Sequence, residues 1–90
     1  MENLGVDFSG LVILAGETCP PCHRAMQWLN AKDIPYRPYK VDGDDVLIRW
    51  MMKVTGQRTV PQFFFNGAWV DGGFGQVQAM VQSGELKPKS

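Results

Sequence analysis

Leu11-Val12-Ile13-Leu14-Ala15-Gly16-Glu17-Thr18-Cys19-Pro20-Pro21-Cys22-His23 passes from an apolar run into a pair of cysteines at a helix start. The run reads as a short buried strand ended by Gly16, and His23 to Lys32 reads as helical. Thr18 is read as the N-cap, with Pro20 in the first turn, where its missing N–H costs nothing. Cys19 and Cys22 are the only cysteines in the chain. At the i, i+3 spacing of a helix their Cβ atoms fall about 5–6 Å apart. That is compatible with disulfide Cα separations of about 4.4–6.8 Å. The pair can therefore open and close with little backbone movement, as a reversible two-electron thiol switch requires.

The helix start also divides the chemistry. A thiolate is the attacking species, and free N–H groups with the positive end of the macrodipole lower a thiol's pKa. Cys19 stands at that end and Cys22 one turn inside. Cys19 is read as the attacking sulfur and Cys22 as the one that resolves the mixed disulfide. Pro20 and Pro21 stiffen the loop, remove two N–H donors, and bias Cys19 away from helical backbone. Zinc needs about four ligands. His23 beside Cys22 offers a poor third, so no metal is expected and His23 is read as a solvated helix residue.

Around this stretch the chain of 90 residues makes one domain, 1–90, with residues 1–9 as a loose lead-in and 87–90 as a frayed tail. Tyr36 to Val41 reads as a second strand, its Pro38 suited to an edge. Asp42-Gly43-Asp44-Asp45 reads as a turn that places acids at the next helix start. Val46, Leu47, Trp50, Met51 and Val54 supply that helix's apolar face, closed by Gly56. Gln62 to Phe65 and Ala68 to Val70 flank Asn66-Gly67, a strong hairpin signal. Phe74, Val77, Met80 and Val81 mark a last helix that ends near Gly84. The order is strand–helix–strand–helix–hairpin–helix, one sheet covered by helices.

Composition narrows the function. With 44% hydrophobic and 20% charged residues the chain is globular, and nine basic residues balance nine acidic ones. No basic field points to nucleic acid or an anionic membrane. No apolar run approaches the roughly 18 residues of a membrane span. Met1 to Asp7 lacks the basic start of a signal peptide, so the cytoplasm is expected, and separately a monomer. In that compartment a cysteine pair is catalytic or metal-binding rather than structural.

Glu17 to Ala25 is similar to the active-site segment of the glutaredoxin family, which usually has tyrosine where Pro21 stands. Thr59-Val60-Pro61-Gln62-Phe63-Phe64 resembles a second family signature and Gly72-Gly73 a third. The likeness runs over about residues 11–86. It implies a thioredoxin-like α/β fold, β-α-β-α-β-β-α, with a four-stranded mixed sheet flanked by helices. It implies a dithiol–disulfide oxidoreductase that reduces protein disulfides or glutathione mixed disulfides through Cys19 and Cys22. Carried over, Pro61 is cis and faces the cysteines, and Val60 pairs by its backbone with an incoming peptide or glutathione. Substrate or glutathione contacts fall on Arg58, Thr59, Val60, Pro61, Gly73 and Phe74. No tightly bound cofactor is implied; glutathione is a co-substrate.

Two departures stand out. The family's lysine before the motif is replaced by Ala15-Gly16, and the aspartate after the glycine pair by Phe74-Gly75-Gln76. Charge-assisted bonds contribute about 1.5–3 kcal/mol each, so losing two weakens glutathione binding on the order of a hundredfold or more. Ala68 to Phe74 is also similar to the NrdH-type redoxins, which thioredoxin reductase reduces and which feed ribonucleotide reductase. A third reading is an iron–sulfur carrier, with Cys19 and glutathione as cluster ligands. The missing glutathione contacts and the stiff proline loop weigh against it.

Overall fold

A computed structural model describes residues 4–89, so the expectations for residues 1–3 and for Ser90 lie outside the described residues. The order is β1 (Leu11–Ala15), α1 (Pro20–Ala31), β2 (Arg37–Lys40), α2 (Asp45–Thr55), β3 (Gln62–Phe65), β4 (Ala68–Trp69) and α3 (Gly73–Ser83). The four strands form one sheet in the order β2-β1-β3-β4. β1 runs parallel to β2 and antiparallel to β3, which is antiparallel to β4. The sheet is therefore mixed and flanked by helices, as the resemblance implies, and Pro38 does lie on an edge strand.

All five residues of β1 are buried, which is why its sequence is a continuous apolar run rather than an alternation. Alternate side chains point to opposite faces of a strand. Leu11, Ile13 and Ala15 join Phe63 in a core with Cys22, Ala25 and Leu29 of α1 and Val77 and Met80 of α3. Val12 and Leu14 join Phe64 in a second core with Leu47 and Met51 of α2. Ile13 pairs with Phe63 and Val12 with Phe64, so the sheet's center is apolar on both sides.

Asp44 caps α2 by accepting the Leu47 N–H at 3.1 Å, and Gly56 closes the helix in the left-handed region at φ 70°. Asp44→Ala should cost about 1 kcal/mol of stability, read as a lower midpoint in urea unfolding. The buried stripe of α2 is Leu47, Met51 and Thr55, whereas Val46 and Val54 of the expected face are 44% and 42% exposed. Thr55 takes a buried place because its hydroxyl donates to the Met51 carbonyl at 2.7 Å, a bond that apolar periodicity does not register. Asn66 (φ 50°) and Gly67 (φ 85°) both take positive φ, the conformation of a two-residue hairpin turn.

Described residues near both ends make contacts with the rest of the fold. Phe8 of the lead-in lies 5.0 Å from the Trp50 ring centroid and 5.3 Å from that of Phe64, so it packs on the second core. The Ser9 hydroxyl and amide both donate to Asp7, which with Arg37 holds the Asp7 carboxyl below its ordinary pKa. In the tail, Lys89 N–H donates to the Asp33 carbonyl at 2.8 Å. Backbone bonds and single aromatic anchors of this kind leave no periodic signal.

Candidate active site

Antiparallel pairing sets Leu14, near the carboxyl end of β1, opposite Gln62, the first residue of β3. The loop that leaves β1 toward α1 therefore meets the loop that enters β3. The first carries Gly16 to Cys19 and the second Arg58 to Pro61. The Val60–Pro61 peptide is cis, as the resemblance implies. The Val60 carbonyl oxygen lies 3.8 Å from Cys19 Sγ.

Cys19 and Cys22 are joined in a disulfide with a Cα separation of 5.2 Å, inside the range expected from their spacing. Cys19 itself, not Thr18, is the N-cap of α1, with extended backbone at φ −129° and ψ 93°. The cause is Pro20, which disfavors helical backbone in the residue before it. Cys19 Sγ accepts the Cys22 N–H at 3.2 Å. Pro20 and Pro21 have no N–H to offer, so Cys22 supplies the first donor that the helix start can turn toward the sulfur.

The pair does not face solvent as a unit. Cys22 belongs to the buried face of α1 with Ala25 and Leu29 and is 0% exposed, while Cys19 retains 7%. Cys19 is thus the more accessible sulfur of the pair and Cys22 the more shielded. His23 is exposed; its backbone N–H donates to the Cys19 carbonyl at 3.1 Å.

Gly16 is buried where the two loops cross. A Cβ there would come within 3.3 Å of Val60 Cγ2 and 3.5 Å of Cys19 Cβ. The small residue lets the Val60 side chain close against the cysteine loop. Asp42 was legible only as a turn residue, yet its carboxylate accepts the Glu17 N–H at 2.8 Å and ties down the approach to the motif. Lys40 Nζ stands 3.5 Å from Glu17 Oε1 in an exposed pair that contributes little.

The remaining expected contacts are more scattered. Arg58 and Thr59 are exposed, and Gly73 begins α3 at φ 67°. The Phe74 ring is committed to the first core, edge-on to Trp28 at 5.6 Å and stacked on Phe63 at 6.2 Å. What Phe74 can present is its backbone N–H in a first helical turn that has no side-chain cap. No hydrogen bond links Arg58, Gly73 or Phe74 to the cysteines among the described residues. Among those residues no group of three or more His, Cys, Asp or Glu is placed to hold a metal ion, and no helix is long and apolar enough to cross a membrane.

The family model for glutaredoxin matches residues 11–70, a span that holds both the cysteine pair and the cis proline. The chain belongs to the glutaredoxin family. Glutaredoxin 3 of Escherichia coli is 36% identical over 76 residues, covering 84% of this chain and 90% of that protein. A probable glutaredoxin of Synechocystis is 39% identical over 77 residues, covering 84% and 70%. Among solved structures, a buckwheat glutaredoxin–glutathione complex superposes with a TM-score of 0.69 at 28% identity, over 84% of this chain and 71% of that one. A dithiolic glutaredoxin of Trypanosoma brucei brucei gives 0.68 at 29%, over 84% and 80%. With its two cysteines at disulfide distance, this glutaredoxin is a dithiol–disulfide oxidoreductase.

Proposed function

We propose that Cys19 is the attacking cysteine and Cys22 the resolving one, and that glutathione mixed disulfides and protein disulfides dock on the loop from Arg58 to Pro61. The observation that carries this reading is the position of Cys19 Sγ, under the Cys22 N–H and 3.8 Å from the Val60 carbonyl oxygen. The Cys19 thiolate attacks one sulfur of the substrate disulfide, and the other leaves as a thiolate that takes up a proton. Cys22 then loses its proton and attacks Cys19 Sγ. The second substrate thiolate departs, and the Cys19–Cys22 disulfide remains. Two thiols of a reductant restore the pair.

Val60, between Thr59 and Pro61, presents backbone groups on which a substrate pairs as a short added strand. The Gly73 N–H donates to the Val70 carbonyl at 3.4 Å, so in the first turn of α3 the uncapped Phe74 N–H is the donor suited to a carboxylate, and the exposed Arg58 offers a cation. Glutathione carries two carboxylates and fits both as co-substrate, and the buckwheat relative is a glutathione complex. With Gly16 in place of a cation and no acid at Gly75-Gln76, backbone groups carry most of the binding. A reducing cytoplasm suits a pair that must open after every turnover.

The test compares two reductants. Glutathione recycled by glutathione reductase should sustain turnover of a glutathionylated peptide, at a glutathione concentration raised by the two missing contacts. Turnover with thioredoxin reductase and NADPH but none with glutathione would replace this reading by the NrdH-type one, with ribonucleotide reductase as the acceptor to assay first.

A further inference from the structure

Gln62 is a buried polar residue, 4% exposed, at the entry to β3. Its amide nitrogen donates to the Thr59 carbonyl at 2.9 Å and to Gln57 Oε1 at 3.0 Å. Its amide oxygen accepts the Trp69 Nε1–H at 3.1 Å. Chemistry fixes this orientation. An indole N–H only donates and a backbone carbonyl only accepts, so the oxygen must face Trp69 and the nitrogen Thr59. Gln62 therefore ties β4 to the loop that stands over Cys19.

The tie has a directional consequence. The Thr59–Val60 peptide is trans, so its C=O and N–H point to opposite sides. With the Thr59 carbonyl turned inward to Gln62, the Val60 N–H is turned outward. That N–H has no hydrogen-bond partner among the described residues. The Val60 carbonyl oxygen lies beside Cys19 Sγ. Rotation of the Thr59–Val60 peptide by half a turn would exchange donor for acceptor on the outer side, and a docked chain would meet the wrong group. We infer that Gln62, held by Trp69, is a positioning residue that fixes the Val60 N–H as the donor to the substrate backbone. The inference rests on the reading that substrates dock at Val60.

Hydrogen exchange at the Val60 amide tests it. A Cys22→Ser protein treated with oxidized glutathione forms a Cys19–glutathione mixed disulfide and releases one glutathione thiol. In this adduct the Val60 amide should exchange more slowly than in the free protein, relative to core amides of β1 that report global stability. Adding Gln62→Met should remove roughly three- to tenfold of that slowing, what a single misplaced hydrogen bond gives. Trp69→Phe keeps an aromatic ring and removes the N–H together with the rest of the five-membered ring. It should act in the same direction, and it carries the test if Gln62→Met does not fold. Absence of slowing in the Cys22→Ser adduct would refute docking at Val60, and the positioning role with it. Slowing there that both substitutions leave intact would overturn the positioning role alone, because loss of fold stability moves the β1 amides as well.

Discussion

Cys19→Ser should abolish disulfide reduction, and Cys22→Ser should accumulate a mixed disulfide at Cys19. A serine hydroxyl does not ionize near neutral pH and does not attack sulfur. The helix start that favors a thiolate at Cys19 has nothing to act on in the first variant. The second keeps the Cys22 backbone N–H, because substitution leaves the main chain in place. The 3.2 Å bond to Cys19 Sγ, which supports the thiolate in the proposed mechanism, should therefore survive. What is lost is the shielded second sulfur, 0% exposed and 5.2 Å away at Cα, which resolves the adduct without competition from solution thiols. Mass spectrometry of the quenched reaction should show the substrate thiol retained on Cys22→Ser and none on Cys19→Ser. Protein disulfides need the internal resolving step and should lose nearly all turnover in Cys22→Ser. A glutathione mixed disulfide can be resolved by free glutathione and should keep measurable turnover. Reversed phenotypes would exchange the roles assigned to the two sulfurs.

The sequence carried the elements of this site because each has a local signature. Cys19 and Cys22 are spaced for a helix start, Thr59-Val60-Pro61 opens an apolar strand, and Asn66-Gly67 joins two strands. Their assembly was legible only through the family resemblance, since nothing in the residues says that the entry to β3 lies beside the end of β1. Other details stayed hidden, one through a local rule overlooked and the rest because they depend on tertiary neighbors. Cys19 displaced Thr18 as the cap because Pro20 acts on the residue before it, a rule available in the sequence that gave way to the usual preference for threonine. Gly16 reads as a strand end, and only the crossing of two loops shows that a side chain there would meet Val60 and Cys19. Gln62 reads as one polar residue before three phenylalanines. Its partners Thr59, Gln57 and Trp69 lie on both sides of it in the chain, and no periodicity joins them.

The same distinction between local pattern and tertiary packing predicts the largest stability effect. Phe63→Ala should cost about 3–5 kcal/mol, the usual toll of an emptied aromatic site in a core. Phe63 is 0% exposed and sits in the center of β3, paired with Ile13. Helices α1 and α3 cover the same face, so several rigid elements would have to move to fill the space. The cavity also removes the ring on which Phe74 stacks, and Phe74 stands in the first turn of α3 at the proposed carboxylate site. At about 4–8 °C per kcal/mol for a domain of this size, the melting temperature should fall by ~12 °C or more. Val54→Ala is the control. Apolar periodicity puts Val54 on the inner face of α2, but the folded helix turns it outward at 42% exposure. Its replacement should change stability by no more than about 0.5 kcal/mol. Thermal unfolding followed by circular dichroism separates the two, and comparable losses would mean that α2 seats on the sheet through Val54 rather than through Leu47, Met51 and Thr55.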